Sequence, residues 1–389
     1  MRSILFPASV IVACGSALSG EQMDRANAAA ERSIAERIAG RDFPSVFQAW
    51  SPADNLKGQE PLAVAAKHDL IWHGLEWFGL EWDSSPRGLA EALRPESIPP
   101  ARAKREALLK LNPNIILLAE IRYRDADRGF LPEGHRWWAR DKDGNLLDGW
   151  DEGGFLQLDF RNPEFREHVA RRAKAVVESG VVDGVMLDWW SDDEYRLALV
   201  KAVREAIGDR YLIIANANDR TTPVTGRYIN GYFMECYASK TADDWRRIAA
   251  TLEWAEKNLR EPRVNCVETW YHKSRDDLNL MRATTTLVLT HSNGYCLFSD
   301  PNPLPSADHR HNWYQFWDKS LGKLASSRID RPDGTVMREF EKGTVVYNPM
   351  GNKEVRVEFA DARKSLATGK AGRRHTVSSC DGDIFLKAQ

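Results

Sequence analysis

The sequence predicts an α/β protein: a (β/α)8 barrel of the TIM type followed by a small C-terminal all-β domain. Three observations carry this. Brief continuous apolar runs, of the kind that strands covered on both faces show, recur eight times. Segments with helical spacing separate them, over about 260 residues. After roughly Leu324 the pattern changes to short alternating strands with turn residues. At 389 residues and 43% hydrophobic content, the chain can bury one barrel and an accessory unit.

Residues 1–20 have the layout of an export signal: Arg2, an apolar stretch from Ile4 to Ala13, then Cys14-Gly15-Ser16-Ala17. Ile11-Val12-Ala13-Cys14 resembles a bacterial lipoprotein box, which would lipidate Cys14 and attach the protein to a membrane. Cleavage near Ala17 would instead release it as a secreted or periplasmic protein. No other run is long and apolar enough to span a bilayer. Residues 21–40 are Ala-rich, charged and helically spaced, ending at Gly40, and read as a linker or capping helix.

The barrel is expected over 41–324. Phe43–Trp50 is its first strand, Asp69–Trp72 the second and Ile115–Ile121 the third. A long insertion rich in Gly, Asp and Trp spans 124–160. Within it, Asp141, Asp143 and Asn145 alternate as calcium-loop ligands do, but no Glu follows at EF-hand distance, so DKDGN reads as a hairpin turn. The helix from Asn162 to Ser179 opens with Asn-Pro, an N-cap and a first-turn proline. Strand four lies in VVDGVMLDWW, Val181–Trp190, after a turn-forming Asp183-Gly184. Strand five is Tyr211–Ala215, strand six Tyr228–Tyr237, strand seven Arg263–Trp270 and strand eight Gly294–Phe298. Residues 325–389 form the β domain, which has few exposed aromatics to bind glycan and reads as a stabilising unit.

Net charge is −2 and the basic residues are scattered, as at Arg171-Arg172 and Arg246-Arg247, so they read as solvated helix faces with no nucleic-acid stripe. Five cysteines make no disulfide framework. Cys236, Cys266 and Cys296 sit one βα unit apart and, without CxxC spacing, read as barrel filling. The nine histidines show no HxH or HExxH pair on a strand, and His309 and His311 fall past the last strand. No phosphate-cradling or dinucleotide-binding glycine motif and no GxSxG elbow is present. Neither metal nor cofactor is expected.

What remains is a ring of polar residues at strand ends, where barrels place chemistry. Asp188 closes strand four; capping of the next helix, as a residue before the polar SDDE run, is the lesser alternative. Trp189 and Trp190 after it offer faces for a sugar ring, and the 14 tryptophans are many for this length, although core filling explains roughly half of such a set. Glu235 on strand six and Glu268 on strand seven complete a candidate set of acids. Around them fall His73, Glu120, Arg122, Asn216, Asn218, Tyr237, Trp270 and Asp300. Two carboxyls across a tryptophan-lined cleft, one protonated and one ionised, suit glycoside hydrolysis. Asp188 is the candidate nucleophile or base. Glu235, after Tyr232-Phe233-Met234, is the candidate general acid. Glu268 is the alternative acid, or else a residue that holds a sugar hydroxyl or orients Arg122.

Leu156–Trp190, LQLDFRNPEFREHVARRAKAVVESGVVDGVMLDWW, and Phe233–Tyr237, FMECY, resemble the "LD..NP..R" helix, the "DGV.LD" strand and the strand-end acidic segment of glycoside hydrolases of the endo-α-1,4-polygalactosaminidase type and related α-amylase-like barrels. The resemblance implies a (β/α)8 hydrolase of an α-linked polysaccharide, with amino-sugar polymers among the substrates and Asp188 and Glu235 as the matching acids. The chain departs from true α-amylases at Met186, where they carry an arginine two residues before the strand-four acid. A glycan-binding envelope protein that kept the cleft and lost turnover is the alternative.

Overall fold

The computed structural model describes residues 32–270, 275–300 and 309–387. The expected leader, with Cys14, and most of the expected 21–40 helix lie outside them. What is described of that helix is α1, Ile34–Gly40, whose first turn is closed by a capping box: Glu36 N–H donates to Ser33 Oγ (3.2 Å) and Ser33 N–H to the Glu36 carboxylate (2.7 Å).

Eight parallel strands form one sheet in the order β1 (Phe47–Ala49), β2 (Leu70–His73), β3 (Ile116–Glu120), β6 (Gly184–Leu187), β7 (Leu212–Asn216), β8 (Gly231–Cys236), β9 (Cys266–Trp270) and β10 (Tyr295–Ser299). A parallel bridge between Val46 and Cys296, with Cys296 N–H donating to Ser45 O at 2.9 Å, closes the sheet. The two missing numbers, β4 (Asp125–Ala126) and β5 (Leu156–Gln157), pair antiparallel inside the long insertion. Each expected strand is found within a few residues, because both faces of each must be apolar to be covered. Phe47, Trp72 and Phe233 meet inside the barrel, with ring centroids 5.8 and 5.1 Å from Phe233.

Between strands run α2 (Pro61–Ala65), α3 (Leu75–Phe78), α4 (Ile98–Leu111), α5 (Pro163–Glu178), α6 (Glu194–Ile207), α7 (Ala242–Asn258) and α8 (Leu278–His291). Asn162 caps α5 as its sequence predicts, its side chain accepting from Glu164 and Phe165 N–H. Asp193, not Asp188, caps α6, accepting from Arg196 N–H, so Asp188 is left for the barrel mouth. Asp183-Gly184 is no turn. Asp183 is a buried anion that accepts from Leu117 N–H (2.9 Å), Arg105 (2.6 Å) and Arg37, tying α1 and α4 to β3. Burial would push its carboxyl up, but Arg105 and Arg37 outweigh that and hold it below the usual range. Gly184 is required by close approach, since a Cβ there would lie 2.2 Å from Leu212 O on β7.

The second sheet has six strands in the order β11 (Ile329–Asp330), β12 (Val336–Phe340), β13 (Gly343–Asn348), β16 (Asp381–Lys387), β14 (Val355–Ser365) and β15 (Ala371–Val377). It leans on α8: Arg282 pairs with Asp381 at 2.8 Å, and Arg338 donates to the carbonyls of Leu289 (3.1 Å) and Ser292 (2.5 Å). Arg172 corrects the solvated-face reading: it is 3% exposed, lies 3.7 Å over the Trp82 ring and donates to the carbonyls of Arg87 and Ala90. DKDGN is the expected hairpin turn, the Asp141 carboxylate accepting from Asp143 and Asn145 N–H. Cys236, Cys266 and Cys296 are buried, and burial pushes all three thiols up. Among the described residues no helix is long and apolar enough to cross a membrane.

Candidate active site

Side chains alternate across a strand, so residues two apart share a face. On β3, β6, β7 and β8 the inward set runs from an apolar residue to a polar one at the strand's end: Leu118 to Glu120, Met186 to Asp188, Ile214 to Asn216 and Phe233 to Glu235. On β9 the same step runs from Cys266 to Glu268. The apolar members fill the barrel and the polar ones gather at its C-terminal mouth, which is why so many of the expected site residues converge.

The centre of that mouth is Asn216. Its Nδ2 donates to Asp188 Oδ1 and to Glu235 Oε2, each at 2.8 Å. Both oxygens are bound to the same nitrogen, so they stand at most twice that distance, 5.6 Å, apart. The amide cannot turn over freely, because Asn218 N–H donates to Asn216 Oδ1 (3.3 Å) and keeps the NH2 on the acids. The Asn218 side chain adds to this, its NH2 donating to the Glu235 backbone carbonyl (2.6 Å) and its oxygen accepting from Arg220 (3.3 Å). Asp188 and Glu235 are half-buried and Asn216 is buried. Burial pushes the Glu235 carboxyl from an ordinary 4.5 up to about 8; Asp188 and Glu268 add to this, while His309 and the Asn216 hydrogen bond oppose it. A neutral acid thus faces a partner carboxylate held by the same amide.

Glu120 and Arg122 stand beside this pair. Arg122 Nε lies 3.1 Å from Glu120 Oε1, and its Nη1 3.7 Å from Asp125 Oδ1. Burial pushes Glu120 up to about 8 against the pull of Arg122. Burial would lower the Arg122 guanidinium, but Glu120, Asp188 and Asp125 together hold it above its usual value. The positive charge that Met186 cannot supply to Asp188 thus comes from the end of β3. His73, pushed down to about 4 by burial, lies between the rings of Trp50 (4.4 Å) and Trp77 (5.8 Å) and is neutral near pH 7. A cleft of about 370 Å3 runs from Glu120 and Arg122 past Trp50, Glu76, Trp82 and Phe155. It does not take in Asp188 or Glu235; Arg122 in its wall is within electrostatic reach of Asp188. Its aromatic lining was not singled out from the sequence.

Glu268 does not orient Arg122. It is fully buried, with one oxygen on the Ser299 hydroxyl and the other 2.8 Å from His309 Nδ1. Both oxygens are occupied, so it is badly placed to replace Glu235 as an acid. His309 is the residue that sequence reasoning set aside. It follows the last barrel strand, has φ of +60° and is 3% exposed. Its ring sits against Trp72 (5.7 Å), Phe233 (5.4 Å) and Trp270 (5.8 Å), and its charge bears on Glu235. A usable signal was the pair of histidines, His309 and His311, in the loop after the last barrel strand, where strand-end loops carry function.

The two tryptophans part company. Trp189 takes φ of +52° and is 44% exposed, with Arg124 lying 4.2 Å over its ring. Trp190 is fully buried with Nε1 donating to Thr225 Oγ1 (3.1 Å), so it is core and offers no face to a sugar. Tyr237 is 63% exposed at the rim, just beyond β8. Asp300 is taken up by the loops: it accepts from Arg275 Nε (2.6 Å) and Arg275 N–H (3.0 Å), and Arg275 also binds Asp54 (2.5 Å). Its expected place in ligand binding is therefore corrected to a latch. Among the described residues, no three His, Cys, Asp or Glu side chains are grouped to hold a metal ion.

No family model and no curated protein sequence matches the chain. Solved structures do. A noncanonic maltogenic α-amylase from Thermotoga neapolitana superposes with a TM-score of 0.56 at 10% identity, over 89% of this chain and 99% of that one. An α-amylase from Malbranchea cinnamomea gives 0.51 at 10%, over 91% and 97%. A cyclic α-maltosyl-(1→6)-maltose hydrolase from Arthrobacter globiformis gives 0.51 at 11%, over 91% and 100%. At such identities the likeness establishes the fold, an α-amylase-like barrel with its C-terminal β domain, and leaves the chemistry to the site.

Proposed function

We propose that this protein is a retaining glycoside hydrolase of α-linked polysaccharides, galactosamine-containing polymers among them, and that it works outside the cytoplasm. The observation that carries the reading is the Asp188–Asn216–Glu235 bridge: two carboxyls within 5.6 Å, one of them pushed up to about 8. Inverting enzymes need about 6.5–9.5 Å to admit a water between the acids, while about 5–5.5 Å suits direct attack. Glu235 donates its proton to the glycosidic oxygen as the bond to the anomeric carbon breaks. Asp188 attacks that carbon and forms a glycosyl ester. Glu235, now a carboxylate, takes a proton from water, whose oxygen displaces Asp188 and restores the starting state. The Asn216 amide steadies the charge on whichever carboxylate is ionised. The α-glucan-acting proteins that share the fold support the substrate class, the likeness of Leu156–Trp190 to polygalactosaminidase-type enzymes brings amino-sugar polymers into it, and the leader-like first 20 residues support export.

Hydrolysis of α-glucans and galactosamine-rich exopolysaccharides by protein lacking the residues before Glu21 tests this, with Asp188→Asn beside it. Reducing ends from the wild type alone, and a product of unchanged anomeric configuration by NMR, are expected. Glycan binding without turnover in both proteins would move the assignment to a binding protein, and equal turnover in both would remove Asp188 from the mechanism.

A further inference from the structure

A second pocket, of about 350 Å3, opens in the insertion after β3, and its wall carries four guanidinium groups, those of Arg124, Arg140, Arg161 and Arg196, against one carboxylate, Asp159. Two of the four are matched by neighbours: Arg124 by Asp125 (2.6 Å), an acid it shares with Arg122, and Arg196 by Asp193. The other two have no carboxylate within ion-pair distance among the described residues. Arg140 spends its donors on the carbonyls of Gly144 (2.8 Å) and Glu133 (3.3 Å), which hold it in place without neutralising it. Arg161 lies 5.8 Å over the Tyr195 ring, and Asp159 accepts from its backbone N–H (3.3 Å), not from its guanidinium. The pocket thus carries uncompensated positive charge, in a concavity of the size that binds a sugar unit.

Its position gives that charge a use. Arg124 covers the ring of exposed Trp189, and Arg196 donates to Trp189 O (2.8 Å). Trp189 directly follows Asp188. A polymer that lies across Asp188 and against Trp189 runs on toward the four arginines.

We infer that this pocket is an anion subsite, reading a carboxylate, sulfate or phosphate substituent on a sugar that flanks the cleaved bond. Arg140 and Arg161 are its specificity-determining residues, because neither guanidinium has a carboxylate partner among the described residues, and each keeps N–H groups, beyond the two that Arg140 gives to Gly144 and Glu133, to offer an oxyanion. Anion binding stands on the pocket alone; the placing of the cleaved bond rests on the hydrolase reading.

The experiment is calorimetric titration of the Asp188→Asn protein, in which substrates survive. The probes are a neutral α-glucan oligosaccharide, oligosaccharides of equal length bearing uronate carboxylates, sulfate esters or phosphate esters, and glucuronate and inorganic phosphate by themselves. The anionic oligosaccharides are expected to bind about 10- to 100-fold more tightly than the neutral one, as charge-assisted hydrogen bonds allow. Rising salt should shrink the advantage. Arg140→Gln/Arg161→Gln should abolish it, and Arg161→Lys should retain part. No preference for the anionic ligands, or a preference that the double variant keeps, overturns the subsite, as does arginine-dependent binding of a nucleic acid or acidic peptide in place of the sugars. Arginine-dependent binding of anionic sugars with no hydrolysis by the wild type leaves the subsite and removes the hydrolase. Turnover of neutral glucan without anion preference does the reverse.

Discussion

Replacing Glu235 by glutamine should abolish turnover and stabilise the protein, with the gain growing as pH rises. Well below pH 4.5, the Glu235 carboxyl is protonated in folded and unfolded chains alike, and its contribution to stability is fully present. As pH climbs, the unfolded chain releases the proton first and the folded one keeps it to about 8, so stability falls through that window. A displacement from 4.5 to about 8 corresponds to at most about 5 kcal/mol. Water at the half-buried group and partial protonation leave about 2 kcal/mol at pH 8.5. Glutamine keeps the shape and an acceptor for the Asn216 amide, and carries no charge to bury. For a chain of this length that amounts to a rise in Tm of about 3 °C at pH 8.5 and well under about 1 °C at pH 5. Calorimetric melting of wild type and Glu235→Gln from pH 5 to 9 measures it, alongside kcat/KM, which should drop at least about 1,000-fold with the general acid gone. In the wild type kcat/KM itself should decline as pH passes about 8 and the acid form disappears. A Tm difference that does not vary with pH, or a variant destabilised throughout, would refute the raised carboxyl and with it the acid role.

Four further outcomes are expected. His309→Ala removes a positive influence on Glu235 and a partner of Glu268; the alkaline limb of the rate profile should move upward while kcat falls about 10- to 100-fold, whereas loss of kcat with an unmoved limb would leave His309 merely structural. Trp189→Ala should raise KM about fivefold with kcat little changed, since its exposed face binds substrate and transition state alike; Trp190→Ala should instead lower stability by about 3–5 kcal/mol, which denaturant unfolding separates. Asp183→Ala strands the guanidiniums of Arg37 and Arg105 and should cost about 3–5 kcal/mol in the same assay.

Eight barrel strands, the Asn162 cap of α5 and the second sheet were legible in the sequence, because each depends on neighbours in the chain: continuous apolarity for a doubly covered strand, a side-chain oxygen before a first-turn proline, alternation after Leu324. The same locality placed Asp188, Asn216, Glu235 and Glu268 at the barrel mouth, since inward-facing residues two apart end together where strands end. Which of those acids face each other was decided only by barrel closure. Glu235 and Glu268 sit in register on adjacent strands, yet it is Asp188, reached across β7 through the Asn216 amide, that shares a donor with Glu235. Past the last strand residue the alternation no longer applies. The positive φ of Trp189 turns the chain, so one tryptophan goes to solvent and the next into the core, although their sequence environments are the same. His309 reaches Glu268 over 41 residues, and the charge left on Arg140 and Arg161 depends on which carboxylates folding brings to the other arginines. Such contacts are set by tertiary distance, and no period in the sequence encodes them.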